Sequence, residues 1–92
     1  MSRPTNAIFI GKKSIMTYVN ATLTLLSNEP TVTIKARGKS ITTAVDVSQM
    51  IVKRLNAVGY RVGDVRIFSE RMTSQDGKER NVSTIEIDVS RN

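Results

Sequence analysis

The sequence predicts an α+β two-layer sandwich, a βαβαββ chain whose four strands form one mixed sheet with two helices on one face. Three observations carry that prediction. Apolar residues recur with helical spacing in two segments, one starting at Ile15 and one at Ile41. A short apolar or alternating stretch precedes each of them. Asp76-Gly77 then lies between two long β-type runs at the C-terminal end, which is a strong short-range hairpin signal.

Each element follows from local chemistry. Residues 1–6 are polar, contain Pro4 and are expected to form a flexible N-terminal arm carrying Arg3. Residues 7–10 read as a short apolar strand stopped by Gly11. Ile15, Tyr18, Val19, Thr22, Leu23 and Leu26 share one helical face, with Ser14 at the N-cap position. Asn28-Glu29-Pro30 ends that helix, because proline disfavours a helical residue before it. In residues 31–37, Val32, Ile34 and Ala36 alternate with Thr33, Lys35 and Arg37, so the strand has an apolar and a polar face, and Gly38 breaks it. A second helix is expected up to residue 58, with Ile41, Ala44, Val45, Ser48, Ile51, Val52 and Leu55 on one stripe. Val47, Met50 and Arg54 lie beside that stripe and widen the apolar zone beyond what one sheet requires. They mark, with Leu55, an expected dimer or dimer–dimer interface.

The last two strands are expected over residues 63–74 and 79–90, and in the second Ile85, Ile87 and Val89 alternate with Thr84, Glu86 and Asp88, a buried face against a wet one. A dozen residues at about 3.3 Å each reach nearly 40 Å, so residues 71–82 should project from the body as a hairpin arm. Two right-handed crossovers advancing the same way along the sheet place both helices on one side. No linker divides the 92 residues, which form a single domain. A chain of this size buries only about two-thirds of its unfolded surface, a marginal core that invites a second subunit.

Composition narrows the function. Fourteen Lys and Arg stand against eight Asp and Glu, a formal charge of +6 with no basic tail to hold it. A folded surface with that excess suits a polyanion, nucleic acid or an anionic membrane face, and the lesser alternative is that basicity only keeps the protein soluble. The chain has no cysteine and no histidine, so disulfides, thiolate metal sites and the commonest general base are missing. No apolar run approaches the about 18 residues of a membrane span, and no signal sequence begins the chain, so a soluble cytoplasmic protein with no membrane association is expected.

Two basic clusters sit where a strand hands over to a helix: Lys12 and Lys13 after the first strand, and Lys35, Arg37 and Lys39 around the end of the second. Helix N-terminal N–H groups and cationic side chains meet there, as phosphate binding requires, while solvated lysines are the plain alternative. Gly11-Lys12-Lys13-Ser14 is not a nucleotide-binding P-loop, since the positions needing glycine and Ser or Thr hold Asn6 and Lys13. Glu86 and Asp88 fall on one strand face about 7 Å apart, the spacing of a Mg²⁺ nuclease pair, but a solvated sheet face accounts for them better. Neither an enzyme nor a cofactor is expected. Low aromatic content argues against a base-stacking reader: Phe9, Phe68, Tyr18 and Tyr60 are the only candidates, and most of them are expected in the core or an interface.

Residues 10–13, Leu23 to Leu26, residues 34–39, Ala44-Val45-Asp46, residues 73–77 and residues 82–87 together resemble the archaeal Alba family of chromatin proteins across almost the whole chain. The resemblance implies a homodimer with a fold like the C-terminal domain of translation initiation factor three. It implies binding of double-stranded DNA with little sequence preference, and of RNA, at the chromosome. Lys12 and Lys13 then match the central DNA-contacting lysines, with Lys12 matching a lysine whose acetylation weakens binding, so that an acetylase or deacetylase is an expected partner. Arg37 and Lys39 match the second basic loop, and Arg71, Lys78 and Arg80 belong to the hairpin that reaches toward the minor groove. Leu55 departs from the pattern, standing where relatives often carry a phenylalanine used between dimers on DNA. The alternative role is an RNA-binding subunit of a ribonucleoprotein, or an RNA chaperone.

Overall fold

The computed structural model describes residues 6–54 and 59–91, with the Arg54 side chain outside the description. Four strands, β1 (Ala7–Phe9), β2 (Thr31–Arg37), β3 (Tyr60–Thr73) and β4 (Glu79–Arg91), and two helices, α1 (Ile15–Leu26) and α2 (Ile41–Arg54), follow in the order βαβαββ. The strands lie in the order β1-β2-β4-β3. β1 runs parallel to β2, while β2–β4 and β4–β3 are antiparallel, so the sheet is mixed as expected. No helix of the described residues is long and apolar enough to cross a membrane.

The helices bury one sheet face through residues that the alternation identifies: Val32, Ile34 and Ala36 on β2, and Ile85, Ile87 and Val89 on β4. Tyr18, Val19, Thr22 and Leu26 form the buried face of α1, where the Thr22 hydroxyl donates to the Tyr18 carbonyl at 2.7 Å and so needs no other partner. In α2 the buried set is Ala44, Val47, Ser48 and Ile51, a stripe rotated from the expected one. Val47 is 0 % exposed and unavailable to a partner subunit, whereas Val45, expected inside, is 40 % exposed. The reason is that α2 packs on α1 as well as on the sheet, which turns its apolar face toward the angle between them. Met50 is half-buried against the same core. Leu55 lies outside the described residues, as does most of the arm at residues 1–5. Asn6 is not part of a free arm: its carbonyl accepts the Thr33 N–H at 2.7 Å and its side-chain amide donates to the Thr31 carbonyl at 3.2 Å.

β3 starts at Tyr60, three residues earlier than the sequence suggests, because a β-bulge lies between Val62 and Val65. Val62 pairs with Val89 and Val65 with Ile87, so the extra residue brings both valines to the helix side despite their odd spacing. At the other end β2 stops pairing with β4 at Thr84, while β3 and β4 continue to Thr73 and Glu79. Residues 69–73 and 79–83 therefore form a two-stranded ribbon, about 17 Å long before its turn.

Ile34, at the centre of β2 and 0 % exposed, is the most informative probe of this core. Ile34→Ala should cost about 2–5 kcal/mol of unfolding free energy in a denaturant titration, and Val45→Ala less than about 0.5 kcal/mol. Equal losses would contradict the helix orientation described.

Candidate nucleic-acid interface

Parallel pairing of β1 and β2 ends both strands at the same edge of the sheet. The ladder matches Phe9 with Lys35, and the Ile10 N–H donates to the Lys35 carbonyl at 2.9 Å, carrying the pairing one residue further. The turn with Lys12 and Lys13 consequently emerges beside Arg37 and the 3-10 turn Gly38–Ser40, which holds Lys39. All four cations are exposed. Gly38 has φ of +56°, a left-handed conformation that other residues adopt at a cost, and this reversal lets Lys39 follow Arg37 without extending the strand.

Tyr18, which the periodicity places only in the core, also builds this edge. Its hydroxyl oxygen accepts the Gly11 N–H at 2.8 Å and the Lys13 N–H at 2.9 Å. Gly11 leaves room for that approach, since a Cβ there would stand 3.2 Å from the hydroxyl. Two turn amides are thereby committed to the protein, so side chains rather than these N–H groups must meet an anion. The only sequence signal for this role is a tyrosine, rather than a purely apolar residue, one turn into the helix. Ser14 takes the extended N-cap conformation, but its hydroxyl pairs with that of Thr17 at 2.9 Å instead of capping a backbone amide.

The cations differ in their commitments. Lys12, Lys13 and Lys39 form no ion pair among the described residues. Arg37 reaches Glu70 with Nε–Oε1 3.2 Å and Nη2–Oε2 3.4 Å, and this guanidinium, helped by the Thr84 hydroxyl, holds the Glu70 carboxyl below its ordinary range. An exposed pair of that kind contributes little to stability and can be exchanged for another anion. Lys35 lies 3.7 Å from Glu86 on the open sheet face.

Glu86 and Asp88 are gripped by Arg66, a residue that composition did not single out. Its Nε meets Glu86 at 2.9 Å, and Nη2 and Nη1 meet the Asp88 oxygens at 2.8 Å and 3.0 Å. Asp88 also accepts the Thr33 hydroxyl at 2.8 Å, and its carboxyl is held below the ordinary range chiefly by Arg66. Both carboxylates thus serve a cross-strand network, and no group of three or more metal-ligating side chains occurs among the described residues.

On the ribbon, register separates residues that the sequence groups together. Arg71 pairs across from Asn81 and Arg80 from Met72, so the two arginines point to opposite faces. Arg71 lies 3.7 Å from Glu79, both well exposed. The turn holding Lys78 is tied by the Ser74 N–H to the Lys78 carbonyl at 2.9 Å and the Gly77 N–H to the Ser74 carbonyl at 3.0 Å, with Gly77 at φ +82°. The Asp76 carboxylate accepts both the Ser74 hydroxyl and the Lys78 N–H, which lowers its pKa.

Comparison with known proteins places the chain among close relatives. A family model described as Alba matches residues 6–69. A protein of Nitrosopumilus maritimus named DNA/RNA-binding protein Alba is 56 % identical over 87 residues, covering 95 % of this chain and 92 % of the relative. A Methanococcus maripaludis protein of the same name is 39 % identical over 84 residues, with 89 % and 93 % covered. The solved structure of Alba from Thermoplasma volcanium superposes with a TM-score of 0.84 at 39 % identity, over 94 % of this chain and all of that one. ALBA1 from Trypanosoma brucei superposes at 0.74 with 27 % identity, over 98 % and 72 %.

Tyr18→Phe isolates the scaffold of the lysine turn. Losing two hydrogen bonds should lower stability by about 1–2 kcal/mol and speed amide exchange at Gly11 and Lys13 at least roughly fivefold, with core amides less affected. Unchanged exchange at those two amides would show that the hydroxyl does not organise the turn.

Proposed function

The chain belongs to the Alba family, and from that membership we propose that it is an architectural protein that coats or compacts double-stranded DNA as a dimer, with little sequence preference, and also binds RNA. The observation that carries this reading is the sheet edge where two parallel strands deliver Lys12, Lys13 and Lys39 side by side without carboxylate partners among the described residues. Contacts from such an edge go to phosphates, which position a protein without reading bases. The β3–β4 ribbon, with Lys78 in its turn and arginines on both faces, supplies an arm of a size to enter a duplex groove. Chromosome association follows from the same chemistry. Lys12 is exposed and outside every ion pair described, as a lysine open to an acetylase or deacetylase would be.

Dimerisation has its own support. β3 is an edge strand, and its helix-side residues Val65 and Ile67 are 51 % and 78 % exposed beside the half-buried Ile41 of α2. An apolar flank on an open strand edge is a surface that a second copy would cover. A two-fold axis near it would bring two lysine turns into one basic surface with the ribbons as flanking arms. The role of an RNA-binding subunit or RNA chaperone shares the same edge, and is favoured by relatives whose names include RNA.

Duplex affinity should fall with a log–log salt slope of about −0.9 per phosphate neutralised. In fluorescence anisotropy, Lys12→Ala with Lys13→Ala should weaken binding and flatten that slope by about 0.9 for each phosphate left without its lysine, while Glu86→Ala changes neither comparably. An affinity insensitive to salt would sink the mechanism. By sedimentation at micromolar concentration the protein should be a dimer and Ile67→Asp a folded monomer; a monomeric parent protein would remove the dimer from the proposal.

A further inference from the structure

The open face of the sheet, opposite the helices, holds both phenylalanines of the chain, and neither is in the core. Phe9 is 68 % exposed and Phe68 43 % exposed. They border a shallow depression of about 530 Å³ with Lys35, Thr84 and Glu86 between them. β1 and β3 are the outer strands, three strand spacings or roughly 14 Å apart, so one flat ring system cannot touch both phenylalanines.

The charges around the depression are paired off. Lys35, Arg37 and Arg66 are paired with Glu86, Glu70 and Asp88, three cations against three carboxylates. Lys12, Lys13 and Lys39, which form no ion pair among the described residues, stand at its upper rim, with Lys12 only three residues beyond Phe9. A neutral aromatic floor beside a cationic rim divides its chemistry as a nucleotide does, with a flat base at one end and a phosphate at the other. The Lys35 ammonium lies 5.6 Å from the centre of the Phe9 ring, and most of Phe9 remains open.

We infer that the open sheet face stacks unpaired bases of a single nucleic-acid strand, one on Phe9 and another on Phe68, while its phosphates follow Lys12, Lys13 and Lys39. A duplex cannot use this face, because its bases are stacked on each other; an unpaired strand can splay its bases onto aromatic rings. The inference rests on the reading of the basic edge as a phosphate site and adds a second, base-stacking surface to it.

Anisotropy titrations of the full chain with a single-stranded oligoribonucleotide, the DNA strand of the same sequence and a blunt DNA duplex test it. Phe9→Ala should weaken single-strand binding roughly tenfold and duplex binding by less than about twofold. Phe9→Tyr, which keeps the ring, should bind as the parent protein does, and Phe9→Leu, which keeps only the bulk, should resemble Phe9→Ala. Phe68→Ala should repeat the single-strand loss. Equal losses on RNA and DNA strands support stacking blind to the sugar, and a loss on RNA alone assigns RNA as the occupant. Unchanged single-strand affinity in Phe9→Ala, or an equal loss on duplex, overturns the inference. A parent protein that binds duplex but no single strand overturns it and leaves the basic edge standing, whereas binding to neither removes the edge itself.

Discussion

Three parallel residue pairs between β1 and β2, extended by one hydrogen bond from Ile10, determine where every cation of the binding edge lies. Had the first two strands run antiparallel, the lysine turn and the Arg37–Lys39 turn would sit at opposite ends of the sheet. A parallel pair needs a crossover, and α1 supplies it, so the helix that closes the core also sets the two turns side by side. Tyr18 joins these roles in one side chain. Its ring belongs to the core and its hydroxyl holds the turn, which couples the surface arrangement of two lysines to the interior.

Most of the fold can be read from periodicity, because β2 and β4 each turn one face to the helical layer and α1 keeps its apolar residues on one stripe. Alternation in β2 and β4 identifies six core residues without error, and the first helical stripe matches the buried face of α1. The second helix misleads the same method, since it meets α1 and three strands, β2, β3 and β4, and its apolar residues spread over more than one stripe, so no one-dimensional pattern reveals which of them turns inward. Val47 and Val45 exchange their expected places for that reason. The bulge before Val65 is equally silent, as its only trace is that apolar residues fall out of phase by one.

The site divides in the same way. Basic turns are legible because glycine and lysine sit together at strand ends. Nothing local shows which cations remain available, since that depends on partners far away in sequence. Arg66 lies twenty residues and more from the carboxylates it grips, and Arg37 thirty-three from Glu70. The result is uneven compensation: Lys35, Arg37 and Arg66 are cancelled by carboxylates on the open sheet face, while Lys12, Lys13 and Lys39 stand along one edge without an ion pair among the described residues. A net charge of +6 understates this arrangement, because the field comes from where compensation is missing rather than from the total.

The bulge between Val62 and Val65 has one more consequence. β3 answers to two bodies: Tyr60 and Val62 at its start pack against the core, and its far half is held by β4 in the arm. A strand without slack would force any change of length in the connection from α2 to propagate along the ladder and reverse which side chains face inward. A bulge works as an expansion joint in that strand, taking up a residue of mismatch in an edge strand that pairs with β4 on one side only. The arm and the helical layer can then vary independently, which leaves this fold free to change its reach without rebuilding its core.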